Sequence, residues 1–488
     1  MHFYSRKLLK NGYFRLAQIK IMRSEKNSLG IVITDGVGFR NFVLSTFLEK
    51  AVNDFPKIII FSGLPVSAYP KLNSSKFTIV ELPVFVENKR NWFWRKLKEI
   101  AHLQNHRQNS GIADNYQMNK GRGWSPHAIL VKAIYGISQF FHSENNILLF
   151  EKLQETSFKN DPIVKKYGDI LAEFKTDLLF FTHQRPPFIA TLVYWAKKLN
   201  IPTASFIFSW DNLASKGRMA ATFEYFLVWS DLMKRELLRF YPLTNAQHIS
   251  VVGTPQFEPY VLSEYELSEA EFYKEFNLIP QKKIICYSCA DASIGPNDSL
   301  IIATIAEGLR SGEINDAQLL VRTSPAEDER RFAETKALYP EIKWNHPKWK
   351  LTREGHPEPW SQRIPTQEDL AVLKAVLQYS DLNVNMLSTM SLDFMLFDKP
   401  VINTAFGNPE NGLYNDQRFL NYEHYDNVVK SGAVKIATNK EELYSAINTY
   451  LQNPELNKKE RKDLITMQIG QPLNETTQAC VNALKAIV

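Results

Sequence analysis

Cysteine is nearly missing from this chain, with three in 488 residues. That excludes a disulfide scaffold and fits a reducing, cytoplasmic setting. No run of about eighteen apolar residues occurs, so no transmembrane helix is expected. The N-terminus shows no signal-peptide h-region. No zinc-finger, RRM or helix-turn-helix signature is present and the net charge is only +6, which argues against nucleic acid as a partner. No repeat or low-complexity tract stands out. What is present is the composition of a folded globular protein, 44% hydrophobic and 23% charged, on a chain too long for one compact domain.

The charge is uneven. Arg6, Lys7, Lys10, Arg15, Lys20, Arg23 and Lys26 face Glu25 alone in the first 26 residues, enough to account for the whole +6. With Phe3, Tyr4, Leu8, Leu9, Phe14 and Ile19 between them, this segment is suited to peripheral association with an anionic membrane. The bland alternative is a solvated basic helix. A second basic and aromatic patch, KRNWFWRKLK at 89–98, either anchors Trp92 and Trp94 in headgroups or buries them in a core.

From residue 29 short β-branched runs alternate with helical stretches. Strands are predicted at 29–34, 57–61, 77–82, 177–182, 202–208, 224–229 and 248–253, with a mostly helical region over 90–175. A second series follows at 282–288, 317–323, 341–345 and 381–385, and again just after Pro400. Residues 346–365 read as a loop, and Thr366 and Asp369 are spaced as a capping box. The alternation predicts α/β architecture: two doubly wound parallel sheets, with ligands at the C-terminal strand ends and in the cleft between halves. The divisions are a basic segment 1–28, a first domain 29–254, a linker 255–270, a second domain 271–454 and a helical tail 455–488.

Candidate residues follow from these strand ends. In NMLSTMSLDFMLFDKPVINTAF (385–406), Ser388, Thr389 and Ser391 gather at a helix start, where hydroxyls and free N–H groups favour an anion such as phosphate. Asp393 sits in the apolar part of that helix, which needs a partner for it. DGVGFRN (35–41) offers only an incomplete dinucleotide fingerprint; Asp35 is either a general base or an Asx-turn residue. SWDN (209–212) offers Asp211 as a rival base, with Asn212 and Lys216 as sugar or phosphate contacts; the alternative is helix capping by Ser209 or Asp211. His183, after DLLFFT, is the third candidate base. Cys286 and Cys289 form a CxxC whose first cysteine is inside a strand, with no second pair for zinc, hence incidental.

The 385–406 pattern resembles the donor-nucleotide motif of GT-B glycosyltransferases, bacterial UDP-glycosyltransferases of surface-polysaccharide biosynthesis among them. The resemblance implies two facing Rossmann-like domains, with hydroxyl residues at the pyrophosphate and a carboxylate on the ribose. Here the carboxylate is Asp393, seven residues before Pro400, where relatives usually carry Glu. VVGTPQFEPY (251–260) is similar to the crossing element between domains, and LLVRTSP (319–325) to a strand end whose basic residue, here Arg322, faces the donor phosphates. Ser324 stands where relatives often have His. The loop holding Asp35 and Arg40 is then the one that faces the acceptor, with Arg40 near phosphate. The implied function is metal- and cofactor-independent transfer of a sugar from a nucleotide sugar, UDP-linked, to a cell-surface glycan or lipid-linked acceptor. Alternatives on the same architecture are a CDP-polyol phosphotransferase, a nucleotide-sugar 2-epimerase and a non-catalytic nucleotide-sugar binder.

Overall fold

The computed structural model describes residues 27–70, 75–292, 294–325, 329–407 and 416–488. The basic stretch 1–26 expected on a membrane lies outside the described residues. Strands β1 (Ser28–Ile33), β2 (Lys57–Ser62), β3 (Phe77–Glu81), β4 (Leu178–Phe181), β5 (Thr203–Phe206), β6 (Tyr225–Val228) and β7 (Ile249–Val251) form one sheet. Its order is β3-β2-β1-β4-β5-β6-β7 and every pairing is parallel. The second series is β8 (Lys283–Ser288), β9 (Ala317–Arg322), β10 (Lys343–Asn345), β11 (Trp349–Leu351), β12 (Arg363–Pro365), β13 (Leu382–Asn385), β14 (Val401–Thr404) and β15 (Lys435–Ala437). Six of these pair in parallel in the order β10-β9-β8-β13-β14-β15. The strands read as apolar runs because helices cover both faces; β1 and β8 are each buried along all but their first residue.

Three details differ from the sequence reading. DGVGFRN is not a loop: a helix, Gly36–Val43, starts at once because the Asp35 carboxylate accepts from the N–H groups of Val37 and Gly38 at 3.0 and 2.9 Å. The stretch 346–365 is not structureless, since β11 and β12 pair as an antiparallel ribbon. The capping box at Thr366 is half made. Thr366 accepts from the Asp369 N–H, but the Asp369 carboxylate turns to Arg322, Trp349 and the Lys348 N–H.

The two glycines of DGVGFRN serve close approach. A Cβ on Gly36 would stand 1.6 Å from the Arg363 carbonyl oxygen of the ribbon, and one on Gly38 would stand 2.6 Å from the Thr182 hydroxyl. The first contact seats the second half's ribbon on the first half. The connection after β7 runs through short 3-10 turns, Pro255–Val261 and Ser263–Tyr265. The tail returns to the first half: Lys485 reaches Asp54 at 2.5 Å, and Thr477 donates to Glu258 at 2.6 Å. In the helix Lys89–Asn105, Trp92 and Trp94 pack against the core, Trp94 stacking over Phe150 at 6.4 Å, so of the two readings of that patch the core one holds. All three cysteines are buried thiols outside any disulfide, and burial pushes the Cys286 thiol up to about 12, where it is inert.

Candidate functional site

Strand order reverses about the first strand of each sheet: β1 lies between β2 and β4, and β8 between β9 and β13. Such switch points leave a crevice at the C-terminal strand ends. The loops at these ends meet around a cavity of about 530 Å³. Of the residues singled out in the sequence, Arg40, Asp211, Lys216, Arg322, Ser388 and Thr389 line it. Trp210 ties the walls together, its Nε1–H donating to Thr389 Oγ1 at 3.1 Å.

The wall from the second sheet is built on buried polar pairs. Arg322, at the end of β9, donates to both oxygens of Asp369 at 3.2 Å and to Asn345. Asp369 is 2% and Arg322 6% exposed, so the pair is buried at the cavity wall. Leu387 turns the chain with φ 45°, a left-handed conformation uncommon for a branched residue, just before Ser388. Ser391 and Asp393 do not line the cavity. Ser391 Oγ belongs to a buried cluster with Asn385, Asn403 and Tyr425. Asp393 is buried and accepts from the Tyr260 hydroxyl of the connecting segment. The partner that its burial requires is thus a tyrosine of this chain, where the resemblance put a ribose.

Burial pushes the Asp393 carboxyl up to about 6, against the opposing pull of Tyr260, Arg40 and Arg322. The folded protein therefore holds a proton there between about pH 4 and 6, where the unfolded chain has lost it. Stability attached to that proton is present at the acid side and is lost as pH rises through this window, by on the order of 3 kcal/mol. Asp393→Asn is expected to flatten the stability profile between about pH 4 and 6 and to raise unfolding free energy at neutral pH by about 1–2 kcal/mol. Urea melts across pH check this; a less stable variant at neutral pH would show that the site favours the charged form.

On the first sheet's side, Arg40 donates from Nη2 to the Gln256 carbonyl at 3.0 Å and touches the Tyr260 hydroxyl at 3.5 Å. Its Nε is buried with no hydrogen-bond partner among the described residues. Among the described residues the cavity's other paired cations are Lys216 with Asp211 at 3.4 Å, Arg322 with Asp369, and Arg418 with Asp114 at 3.2 Å; no carboxylate pairs with Arg40. For Asp211, burial works against the charge, but Lys216, His424, Ser209 and Asn212 outweigh it and hold the carboxyl below the usual range. Such a carboxylate is a weak proton acceptor. Asn212 is turned away from the cavity and bonds Gln184 at 2.9 Å.

Asp35 and His183 lie on adjacent strand ends, β1 and β4. Asp35 is fully buried and both its oxygens are occupied: Oδ1 by Val37 and Gly38, Oδ2 by Thr34 at 2.6 Å and by His183 Nδ1 at 2.8 Å. Burial raises its carboxyl, and His183, Thr34 and Gly38 more than reverse this. No oxygen is left for a substrate, so a base role for Asp35 itself is corrected to that of His183's anchor. The imidazole stacks on Phe208 at 3.8 Å, and among the described residues its Nε2 has no hydrogen-bond partner. A second cavity, of about 180 Å³, opens beside the pair; it is lined by Thr34, Phe188, Glu358 and Gln362 among others.

Trp210, Tyr422, His424 and Arg418 also line the larger cavity and were missed in the sequence. Trp210 was legible as the neighbour of Asp211; the other three follow no strand end. Burial pushes the His424 imidazole down to about 4, so it is neutral at physiological pH, and its Nδ1 is buried without a partner among the described residues. Among the described residues no group of His, Cys, Asp or Glu side chains is arranged to hold a metal ion, and no helix is long and apolar enough to cross a membrane.

Two facing, doubly wound parallel sheets with a ligand-sized cavity between their switch points define the GT-B fold, and the chain has that fold. Solved structures of this architecture align along nearly its whole length. A glycosyltransferase from Rickettsia africae matches with TM-score 0.50 and 12% identity, over 95% of this chain and 99% of that one. The UDP-GlcNAc 2-epimerase of Neisseria meningitidis bound to UDP-GlcNAc matches with TM-score 0.50 and 10% identity, over 94% and 99%. MnaA of S. aureus in complex with UDP matches with TM-score 0.50 and 10% identity, over 94% and 96%. No family model and no curated protein sequence matches the chain. The resemblance drawn from residues 385–406 is therefore borne out for the fold.

Proposed function

We infer that the chain is a glycosyltransferase that moves a sugar from a nucleotide sugar, UDP-linked, to a hydroxyl of a glycan or lipid-linked acceptor. One observation carries the reading: among the described residues Arg40, in the wall of the larger cavity, makes no ion pair with a carboxylate. A planar cation without a carboxylate suits a diphosphate through paired hydrogen bonds. The complexes of fold relatives with UDP and UDP-GlcNAc support the same ligand class here.

The acceptor would enter beside His183, from the smaller cavity. Nε2 takes the hydroxyl proton, Asp35 holding the ring in the tautomer with Nδ1 protonated. The acceptor oxygen bonds to the anomeric carbon as the bond from that carbon to the diphosphate oxygen breaks. Arg40, with Arg322 and Lys216, takes up the charge left on the diphosphate, and no metal or other cofactor is assigned a step.

A thermal-shift series with UDP, CDP, GDP and TDP tests the donor, since a ligand that binds only the folded state raises the melting temperature. A rise with UDP is expected; a rise with CDP alone would move the assignment to polyol-phosphate transfer. Incubation with UDP-sugar and no acceptor separates a 2-epimerase, which would convert the donor by itself. Arg40→Ala is expected to weaken UDP binding about 10–100-fold in calorimetry, by loss of charge-assisted bonds. Unchanged affinity would place the nucleotide elsewhere.

A further inference from the structure

The helical region between β3 and β4 turns an unusual face to solvent. Helix Pro126–Phe140 buries Ala128, Val131, Ile134, Tyr135 and Ser138. Its opposite side sets Ile129, Ala133, Gly136 and Phe140 at i, i+4, i+7 and i+11, one stripe, and all four are exposed. The outward stripe of a surface helix is normally polar. Phe140 is 79% exposed, and Trp124, just before the helix, is 84% exposed. Phe141, Leu130 and Met118 widen the patch. Lys132 lies beside the stripe with its Nζ 4.2 Å from the Trp124 ring centre, which sets the indole on the same side.

Charge says what covers this face. Between Asp114 and Glu144 the sequence has no Asp or Glu at all, while Lys120, Arg122 and Lys132 are exposed. A second copy meeting the patch through a two-fold axis would set these cations against one another with no acid to pair them. An anionic lipid surface supplies the missing negative charge and an apolar layer for the rings together. We propose that the 120–141 face docks on an anionic bilayer with Trp124 and Phe140 inserted.

The docked face holds the larger cavity's rim at the headgroups. Met118 is exposed and also lines that cavity, and Tyr135 donates to the Tyr116 carbonyl at 2.6 Å, fastening the two helices. Resting on the transfer reading above, the hydroxyl acceptor reached from this position is one anchored in the bilayer.

Flotation of the full chain with vesicles tests the docking without any turnover. Binding is expected to equimolar phosphatidylcholine and phosphatidylglycerol, to weaken with salt, and to be slight on phosphatidylcholine alone. Trp124→Ser with Phe140→Ser is expected to lower partition by about tenfold or more, from the lost apolar insertion. Lys120→Glu with Arg122→Glu and Lys132→Glu, which leaves the rings in place, is expected to abolish the preference for phosphatidylglycerol. Flotation of the aromatic variant equal to the unaltered protein would overturn the proposal. So would a dimer in sedimentation that this variant converts to monomer, which would assign the face to a second copy. UDP affinity is expected to be the same in both variants, so failure of the docking leaves the nucleotide site untouched, and failure of the nucleotide site leaves the docking.

Discussion

His183→Ala is expected to lower kcat by about 10²–10⁴-fold while leaving UDP affinity close to that of the unaltered protein. The size follows from removing a general base that acts at the transition state. The selectivity follows from position: His183 does not line the cavity assigned to the nucleotide, so it contributes little to holding it. Asp35→Asn leaves Nε2 in place but removes the acceptor that fixes the ring. Its expected signature is a fall in kcat with little change in KM for the donor, together with lost stability, because four donors converge on that carboxylate. Asp211→Asn supplies the contrast. A carboxylate held low by Lys216 is poorly suited to take a proton, so its removal should act on sugar binding and KM. Steady-state kinetics with saturating donor decides the matter: a His183→Ala enzyme with undiminished kcat would return the base role to Asp211.

Most of the fold was legible because strands buried on both faces leave long β-branched runs, such as Lys57–Ser62 or Lys283–Ser288. β11, β12 and β15 have three residues each and carry no such run, so their pairing is set by what they pack on. The cavity residues Asp211, Lys216, Ser388 and Thr389 were found because each follows a strand, and parallel sheets collect those ends on one edge; Arg40 and Arg322 came from the resemblance to GT-B glycosyltransferases. Ser391 and Asp393 were misplaced because helix Met390–Met395 is too short to show a periodic face, and Ser391 through Met395 are all buried. Tyr260, the actual partner of Asp393, is 133 residues away, and Asp369, the partner of Arg322, is 47 away. Contacts at such distances come from how the sheets and their connecting segments pack, which no local pattern encodes.

Arg322→Ala is expected to destabilise the protein by about 3–5 kcal/mol, because it leaves Asp369 charged and buried without its cation. Asp369 also accepts from the Lys348 N–H and the Trp349 indole, both at 3.0 Å, so the start of the β11–β12 ribbon hangs on the same carboxylate. The ribbon in turn rests on Gly36 through the Arg363 carbonyl. Loss of the arginine is thus expected to loosen the ribbon and, with it, the contact between halves. UDP binding should fall as well, which makes Arg322→Ala ambiguous as a test of phosphate contact, whereas Arg40 makes no ion pair with a carboxylate among the described residues and reports on the ligand more directly. The double change Arg322→Ala with Asp369→Asn separates the effects. Removing both charges is expected to restore most of the lost unfolding free energy in urea melts, since a neutral pair carries no uncompensated ion. If UDP affinity recovers along with stability, Arg322 acts through the fold; if stability returns and affinity does not, its guanidinium also touches the diphosphate. A single variant as stable as the unaltered protein would mean that Asp369 takes up a proton in place of its partner, and the pair would then lose its place as the fastening of the ribbon.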